Sequence, residues 1–527
     1  MAIGWLGCND SDPKSTHKTP SLVFKVNLGT EPPTLDPARA TDLTSFTVLQ
    51  AIQKGLVQLN ERMEPVPAVA QRWTISSDRR TYTFFIHPKA LWSDGKPVLA
   101  KHFADAWQRA LTPETGSEYA FFLYEIAGAE AFYDGQSHDK TSFKSVSVKV
   151  LGPKTLQVTL KRPVPFFLSL MASPVALPLR LDQLKRDGDA FTEAGKFITN
   201  GPFLLSQWKH DSAITLKPNL HYWLGVPKTS IELVMVPDAN TSVAMYETDQ
   251  LDMIETTTSL PSVEVRRLKH SPEAHQLPLY HLNYLGFNTQ HPVVRDVRVR
   301  QALALSIDRQ WIPQLMQGGQ QPNTTVLMPG LFGYNPHLGL AFNPQKAQKL
   351  LAEAGYPNGK GFPELSLAYR SGFDTRREME ILQFLWKKHL NITVRLENLD
   401  WKMFLHRLKT NPPALYRLGW FADYPDPDTF VSLFTRANGN NYSHWWNPTY
   451  EAGVIQAATL PNGFQRQQVL NALQRQLLEQ DAVMIPLYTG TKMWLVQPCV
   501  SGFTINPMNL MDFQKVSVKK AADCLKR

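Results

Sequence analysis

The stretch from residue 343 to residue 396 constrains the fold more than any other part of the chain. Asn343-Pro344 opens a helix: the Asn side chain accepts a free backbone N–H, and Pro at the first helical position has no N–H to leave unpaired. Leu350, Leu351 and Ala354 follow at helical spacing, and Gly355 ends the run. A strand over 365–369, a helix over 376–389 and a strand over 392–396 complete an α/β unit. The same signals recur elsewhere. Strands are expected at 22–26, 81–87, 203–208 and 214–217, and a hairpin at 146–150 and 155–160 around Gly152-Pro153. Helices are expected over 41–55, around Phe103, Ala106, Trp107 and Ala110, and after Asp296 as a cap. Asn200-Gly201-Pro202 reads as a turn. No internal repeat is present, and 527 residues suffice for three or four domain-sized units.

Composition narrows the partners. The net charge is +9, which would suit an anionic partner. The basic residues are dispersed, however, and the densest groups are pairs such as Arg376-Arg377 and Lys387-Lys388, so nucleic acid is not expected. The three cysteines form no CxxC, which removes a zinc site of that kind. Cys499 and Cys524 could pair in an oxidising compartment. The opening MAIGWLGC, followed by a polar tether, resembles the end of a bacterial lipoprotein signal, with Cys8 as the lipidated residue and residues 1–21 as signal remnant and tether. The short apolar stretch, Trp5 and the missing basic residues depart from that pattern. No run of 18 apolar residues occurs. The chain carries no GxSxG, no HExxH, no phosphate-binding glycine loop and no calcium-binding loop, so no cofactor, metal or catalytic group is expected.

Three acids stand out in GWFADYPDPDTF, residues 419–430. Asp428 precedes an apolar run and reads as a helix N-cap. Asp426, between two prolines, suits a turn. Asp423 has neither role. It follows an expected buried strand, 415–421, among Trp420, Phe421 and Tyr424, where a carboxylate needs a cation from the protein or from a ligand.

Several segments in one order carry a resemblance: EPPTLDPA (31–38), WSDGKPV (92–98), TNGPFLL (199–205), RDVRVRQALALSIDR (295–309), LAEAGY (351–356) and GWFADYPDP (419–427). From about residue 22 onward the chain resembles the bacterial oligopeptide-binding proteins, solute receptors of peptide-importing ABC transporters. The resemblance implies an α/β, two-lobed periplasmic-binding-protein-like fold of type II, with an additional α/β domain on lobe one. By position, lobe one is expected at 22–54, 179–280 and 491–527, the additional domain at 55–178 and lobe two at 281–490. The implied function is capture of oligopeptides outside the cytoplasm by a monomer that hands them to a membrane permease. The resemblance makes Asp423 the group that grips a peptide α-ammonium and places Tyr119, Tyr284, Trp401, Trp420 and Gly419 at the cleft. Arg417 is then a partner for a peptide carboxylate, and Arg370 a second one. Relatives carry a cysteine pair where this chain has His281 and Phe421, and acids where it has Gly286 and Thr41. These departures leave open a cell-wall muropeptide or a metal complex as ligand; a hydrolase is the more distant alternative.

Overall fold

The structure, a computed structural model, describes residues 22–135, 143–256 and 260–519. Cys8, the tether and Cys524 lie outside the described residues; Cys499 is disulfide-bonded. Two long strands, Ala274–Phe287 and Met484–Val496, organise everything else. They pair antiparallel at the centre of an eleven-stranded sheet, in which the short strand Gln321–Pro322 pairs with Met484–Val496 off the main path. On one side the sheet continues through Leu415–Phe421, Leu365–Arg370 and Val394–Leu399. On the other it continues through Met253–Glu255, Val23–Asn27, Ser230–Val234, Ala213–Pro218 and Phe203–Lys209. The expected unit in the second half is a parallel strand–helix–strand crossover, with the helix running Phe373–Leu390.

The register of the two central strands breaks between the two halves. Pro278 faces Thr491 and Leu282 faces Thr489, so one strand spends more residues than the other over the same step. A bulge of this kind bends a strand and frees its backbone for other partners. Here Tyr280 donates its N–H to Pro507 O at 2.7 Å and accepts from Ala422 N at 2.8 Å. The ladder between the two central strands is interrupted at this point, within a fold of the two-lobed type.

Side-chain alternation sorts the second lobe into two cores. Tyr284, Tyr416 and Met484 pack on one face with Phe430 and Leu470. Leu285, Leu415 and Ile485 pack on the other with Leu382 and Trp386. A separate antiparallel sheet runs in the order Ala70–Ile75, Thr81–Ile86, Thr155–Thr159, Val148–Gly152. Its core, with Phe84, Trp92 and Trp107, is continuous with that of the first lobe.

Local expectations hold where a cap or turn has a chemical reason. Asp296 accepts from Arg298 N at 2.8 Å and Asn343 from Lys346 N at 2.9 Å. The first helix is shorter than its pattern, Leu43–Ile52, because Asp42 caps it and its end is clamped. Gly201 N–H donates to Ile52 O at 2.8 Å, and a Cβ at Gly201 would come within 2.4 Å of that backbone. The Asn200 side chain takes Lys54 N–H at 3.1 Å and donates to Lys54 O at 2.9 Å. The expected turn thus fixes the backbone at Lys54. Asn200 is fully buried, so Asn200→Ala removes two bonds and orphans both backbone groups. Denaturant unfolding should register a loss of about 1–3 kcal/mol.

Candidate functional site

The loop after Leu415–Phe421 is held by its own acids. Asp426 does more than shape a turn: it is buried and paired with Arg466, Oδ1 to Nη2 at 2.6 Å and Oδ2 to Nη1 at 2.8 Å. Arg466 is fully buried and also donates to Ala457 O from Nε and to Asn462 Oδ1 from Nη1. Asp426 Oδ1 also accepts from Asp428 N at 2.9 Å. Asp428 is not the expected N-cap. The short helix starts at Asp428 itself, with Pro427 at the cap and no side-chain cap bond. The Asp428 carboxylate instead accepts the Tyr424 hydroxyl at 2.7 Å, because the proline-rich approach turns it back toward that ring. Arg162 and Arg466 favour its ionised form, but burial dominates and raises its pKa to about 6.

Asp423 is the exception. Its only hydrogen-bond partner among the described residues is Thr429, whose hydroxyl donates to Oδ2 at 3.3 Å and accepts from Asp423 N at 3.2 Å. No described cation lies within ion-pair distance. Burial raises the Asp423 pKa to about 6, and only the Thr429 hydroxyl opposes that rise. Asp423 lines a cavity of about 1040 Å³. Tyr119 and Thr41 also line it. Tyr119 is near enough for the Asp423 charge to raise its own pKa further, after the larger effect of burial. Tyr119 stacks on Phe122 at 5.0 Å, and Tyr424 stacks on Phe166 at 5.0 Å, so the Asp423 loop abuts the domain that carries the small sheet. The cavity therefore lies between structural units.

The other expected residues are elsewhere. Arg417 is spoken for: its Nη2 donates to Asn283 Oδ1 at 2.7 Å and Tyr488 OH at 2.6 Å, and it pairs with buried Glu378 at 3.2 Å. Tyr284 is 2% exposed and sits in the core. Trp420 packs partly buried against that same core, with its Nε1 unpartnered among the described residues. Trp401 is half-exposed at the start of the helix Trp401–Thr410, with the Arg370 guanidinium 5.5 Å from its ring. None of these, nor Gly419, lines the cavity that holds Asp423 and Tyr119. Gly419 serves another purpose. A Cβ there would come within 2.7 Å of the His281 ring, and one at Gly490 within 2.5 Å. His281 is directly across the ladder from Phe421, and their rings stack at 3.7 Å and 7°. Burial, with Arg417 nearby, lowers its pKa to about 3, so the ring is neutral at pH 7. Gly286 leaves room for the Tyr416 ring, which a Cβ would meet at 2.2 Å.

Sequence reasoning missed Lys54, Gln53 and Asn509, all of which line the cavity. Lys54 makes no ion pair among the described residues. Burial lowers its pKa, and Asp512 offsets part of the effect. Gln53 and Asn509 are each 1% exposed; Gln53 Oε1 and both polar atoms of the Asn509 side chain have no partner among the described residues. One signal was available: a lysine between the buried apolar residues Ile52 and Leu56.

The model of bacterial extracellular solute-binding proteins, family 5 (middle region), matches residues 64–442. The chain is 31% identical over 513 residues to the oligopeptide-binding protein OppA of Bacillus subtilis (strain 168), covering 95% of this chain and 93% of that one. It is 30% identical to the probable deoxycholate-binding periplasmic protein YgiS of Escherichia coli (strain K12), covering 96% and 95%. The solved unliganded open form of the periplasmic murein tripeptide-binding protein MppA superposes with a TM-score of 0.79 at 28% identity, covering 95% and 98%.

Two outcomes follow from the loop. Arg466→Met strands Asp426 as a buried charge, and thermal or urea unfolding should show a loss of about 3–5 kcal/mol. Asp423→Asn should raise the stability of the ligand-free protein at pH 7.5. The sign follows from a folded-state pKa of about 6 against an ordinary 3.8. The wild-type carboxylate is then destabilising above pH 6, and the difference closes as pH falls through 6 toward 3.8. Melting temperatures of both forms across pH 4–8 check it.

Proposed function

The chain belongs to the bacterial extracellular solute-binding proteins of family 5, and from that premise we propose that it is a receptor for short peptides. It takes them up between two lobes outside the cytoplasm and delivers them to an ABC-transporter permease, without chemical turnover. The single observation that carries the ligand class is Asp423: a carboxylate lining a large cavity, poorly solvated, with no described cation beside it. Such a group is costly alone and binds an incoming ammonium strongly. A peptide α-ammonium supplies that cation. A bile acid such as deoxycholate carries a carboxylate and no ammonium, so it leaves Asp423 unanswered.

The lobes are read as 22–54, 179–280 and 491–527 for the first, 55–178 for the domain added to it, and 281–490 for the second. The bulge at 279–281 is the hinge on which they close, since backbone freed from the ladder absorbs rotation at small cost. Tyr119, carried by the added domain, stands on the far side of the bound amine from Asp423. Periplasmic residence and the permease partner are inferred from relatives of oligopeptide-binding and periplasmic description. The lipid anchor at Cys8 rests on the sequence resemblance alone.

Calorimetric titration of refolded, ligand-stripped protein with alanine tri- to pentapeptides tests the reading. Free peptides should bind, and N-acetylated forms should bind at least roughly a hundredfold more weakly, as loss of a buried charged pair implies. Asp423→Asn should lose that discrimination. Equal binding of free and acetylated peptides would sink the ammonium assignment.

A further inference from the structure

The cavity offers a second charge of the opposite sign. Lys54 lines it at the end of the helix Leu43–Ile52, with its backbone clamped on both sides by Asn200. Its ammonium has no ion-pair partner among the described residues; Asp512, the nearest acid with an effect on it, lies beyond ion-pair distance. The other cations on the wall, Arg62 and Lys515, are solvent-exposed, where water screens them and they discriminate little between ligands. Lys54 is poorly solvated and keeps most of its field.

A separate observation points to the same ligand group. Asp512 belongs to a small antiparallel pair, Thr504–Ile505 with Met511–Asp512, and Asn509 sits on the turn joining those strands. Asn509 is 1% exposed, its φ of 64° lies in the left-handed region that Asn tolerates, and neither Nδ2 nor Oδ1 has a partner among the described residues. Gln53, next to Lys54, is equally buried; its Nε2 donates to Pro178 O at 3.5 Å, and its Oε1 has no partner among the described residues. Buried amides are almost always satisfied, so orphaned ones lining a cavity mark a place where something is bound. An amide N–H₂ and an ammonium lining one cavity are donors that a carboxylate can use. The free carbonyl oxygens can accept the backbone N–H of the residue that bears it.

We propose that Lys54, with Asn509 and Gln53, receives the peptide's C-terminal carboxylate, so that the cavity reads a short zwitterion from both ends. The inference rests on the peptide reading above. It also replaces Arg417 and Arg370 in that role. Arg417 is already bound to Glu378, Asn283 and Tyr488, and Arg370 is away from the cavity wall. A receptor anchored at both ends accepts a narrow range of lengths, because the closed position of the lobes sets one span between the charges.

The test titrates ligand-stripped wild type, Lys54→Met and Lys54→Gln with alanine tri- to pentapeptides. Each is supplied as free acid, as C-terminal amide and as N-acetyl acid. In wild type, amidation should weaken binding by roughly tenfold to a hundredfold, the range for a charge-assisted bond. Both variants should bind acid and amide alike yet keep the penalty for N-acetylation. The wild-type comparison needs no variant, so a folding defect in either substitution leaves the proposal open to refutation. Sensitivity to N-acetylation without sensitivity to amidation overturns the Lys54 site and leaves the peptide reading standing. The same holds if the preference for acid over amide survives in both variants. Failure of every peptide form to bind wild type overturns both.

Discussion

The buried pair of Asp426 and Arg466 is the interaction on which the site depends. Two charges withdrawn from water are tolerable only when geometry is good and further hydrogen bonds share the charge, and Arg466 has a two-pronged pairing with Asp426 and two further acceptors in Ala457 O and Asn462 Oδ1. The pair fastens a loop rich in proline and aromatic residues to the helix Phe464–Arg475. With Asp426 fixed, Asp428 N–H has an acceptor, Tyr424 has its hydroxyl partner, and Tyr424 can lie flat on Phe166. Asp423 is left at the head of this assembly with one weak hydroxyl contact. Three acids within six residues thus have three different fates, set by which partner each can reach.

The large-scale architecture serves the same end. Two long strands run through the centre of the sheet, and their register breaks within a few residues, where the proposed hinge lies. The cavity gathers its walls from distant parts of the chain: the end of the first helix, the turn at Asn509, Tyr119 and the Asp423 loop. Opposite charges on these walls are kept apart by the fold, each paying part of a desolvation cost that a ligand relieves. Binding and closure are coupled in this account because a ligand bridging the walls stabilises the arrangement that brings them together.

Much of this was legible in the sequence. Asn343, Asp296 and the turn at Asn200-Gly201-Pro202 declared themselves through local chemistry, and local chemistry is what single residues encode. The α/β unit between 343 and 396 was readable because hydrophobic period and breakers agree there. Asp423 could be singled out because its neighbours gave it no local task. Asp428 was misread because N-cap propensity competes with a hydroxyl four residues away, and nothing in the string says which wins. Asp426 concealed its true partner because Arg466 lies 40 residues downstream. Arg417 looked available for the same reason, since Glu378 and Tyr488 reach it only through the sheet. Lys54 and Asn509 lie far apart in sequence and meet at one cavity, so their unpaired state is visible only in three dimensions.

The central claim is that Asp423 is an ionisable group held without a cation until a ligand brings one. Carbon-13 NMR of aspartate carboxyls, assigned with Asp423→Asn, measures it directly in the ligand-free and peptide-bound protein. The account predicts a ligand-free midpoint at about 6 and a carboxylate that stays ionised well below that pH when the peptide is present. A ligand-free midpoint near 3.8, unmoved by peptide, would contradict it.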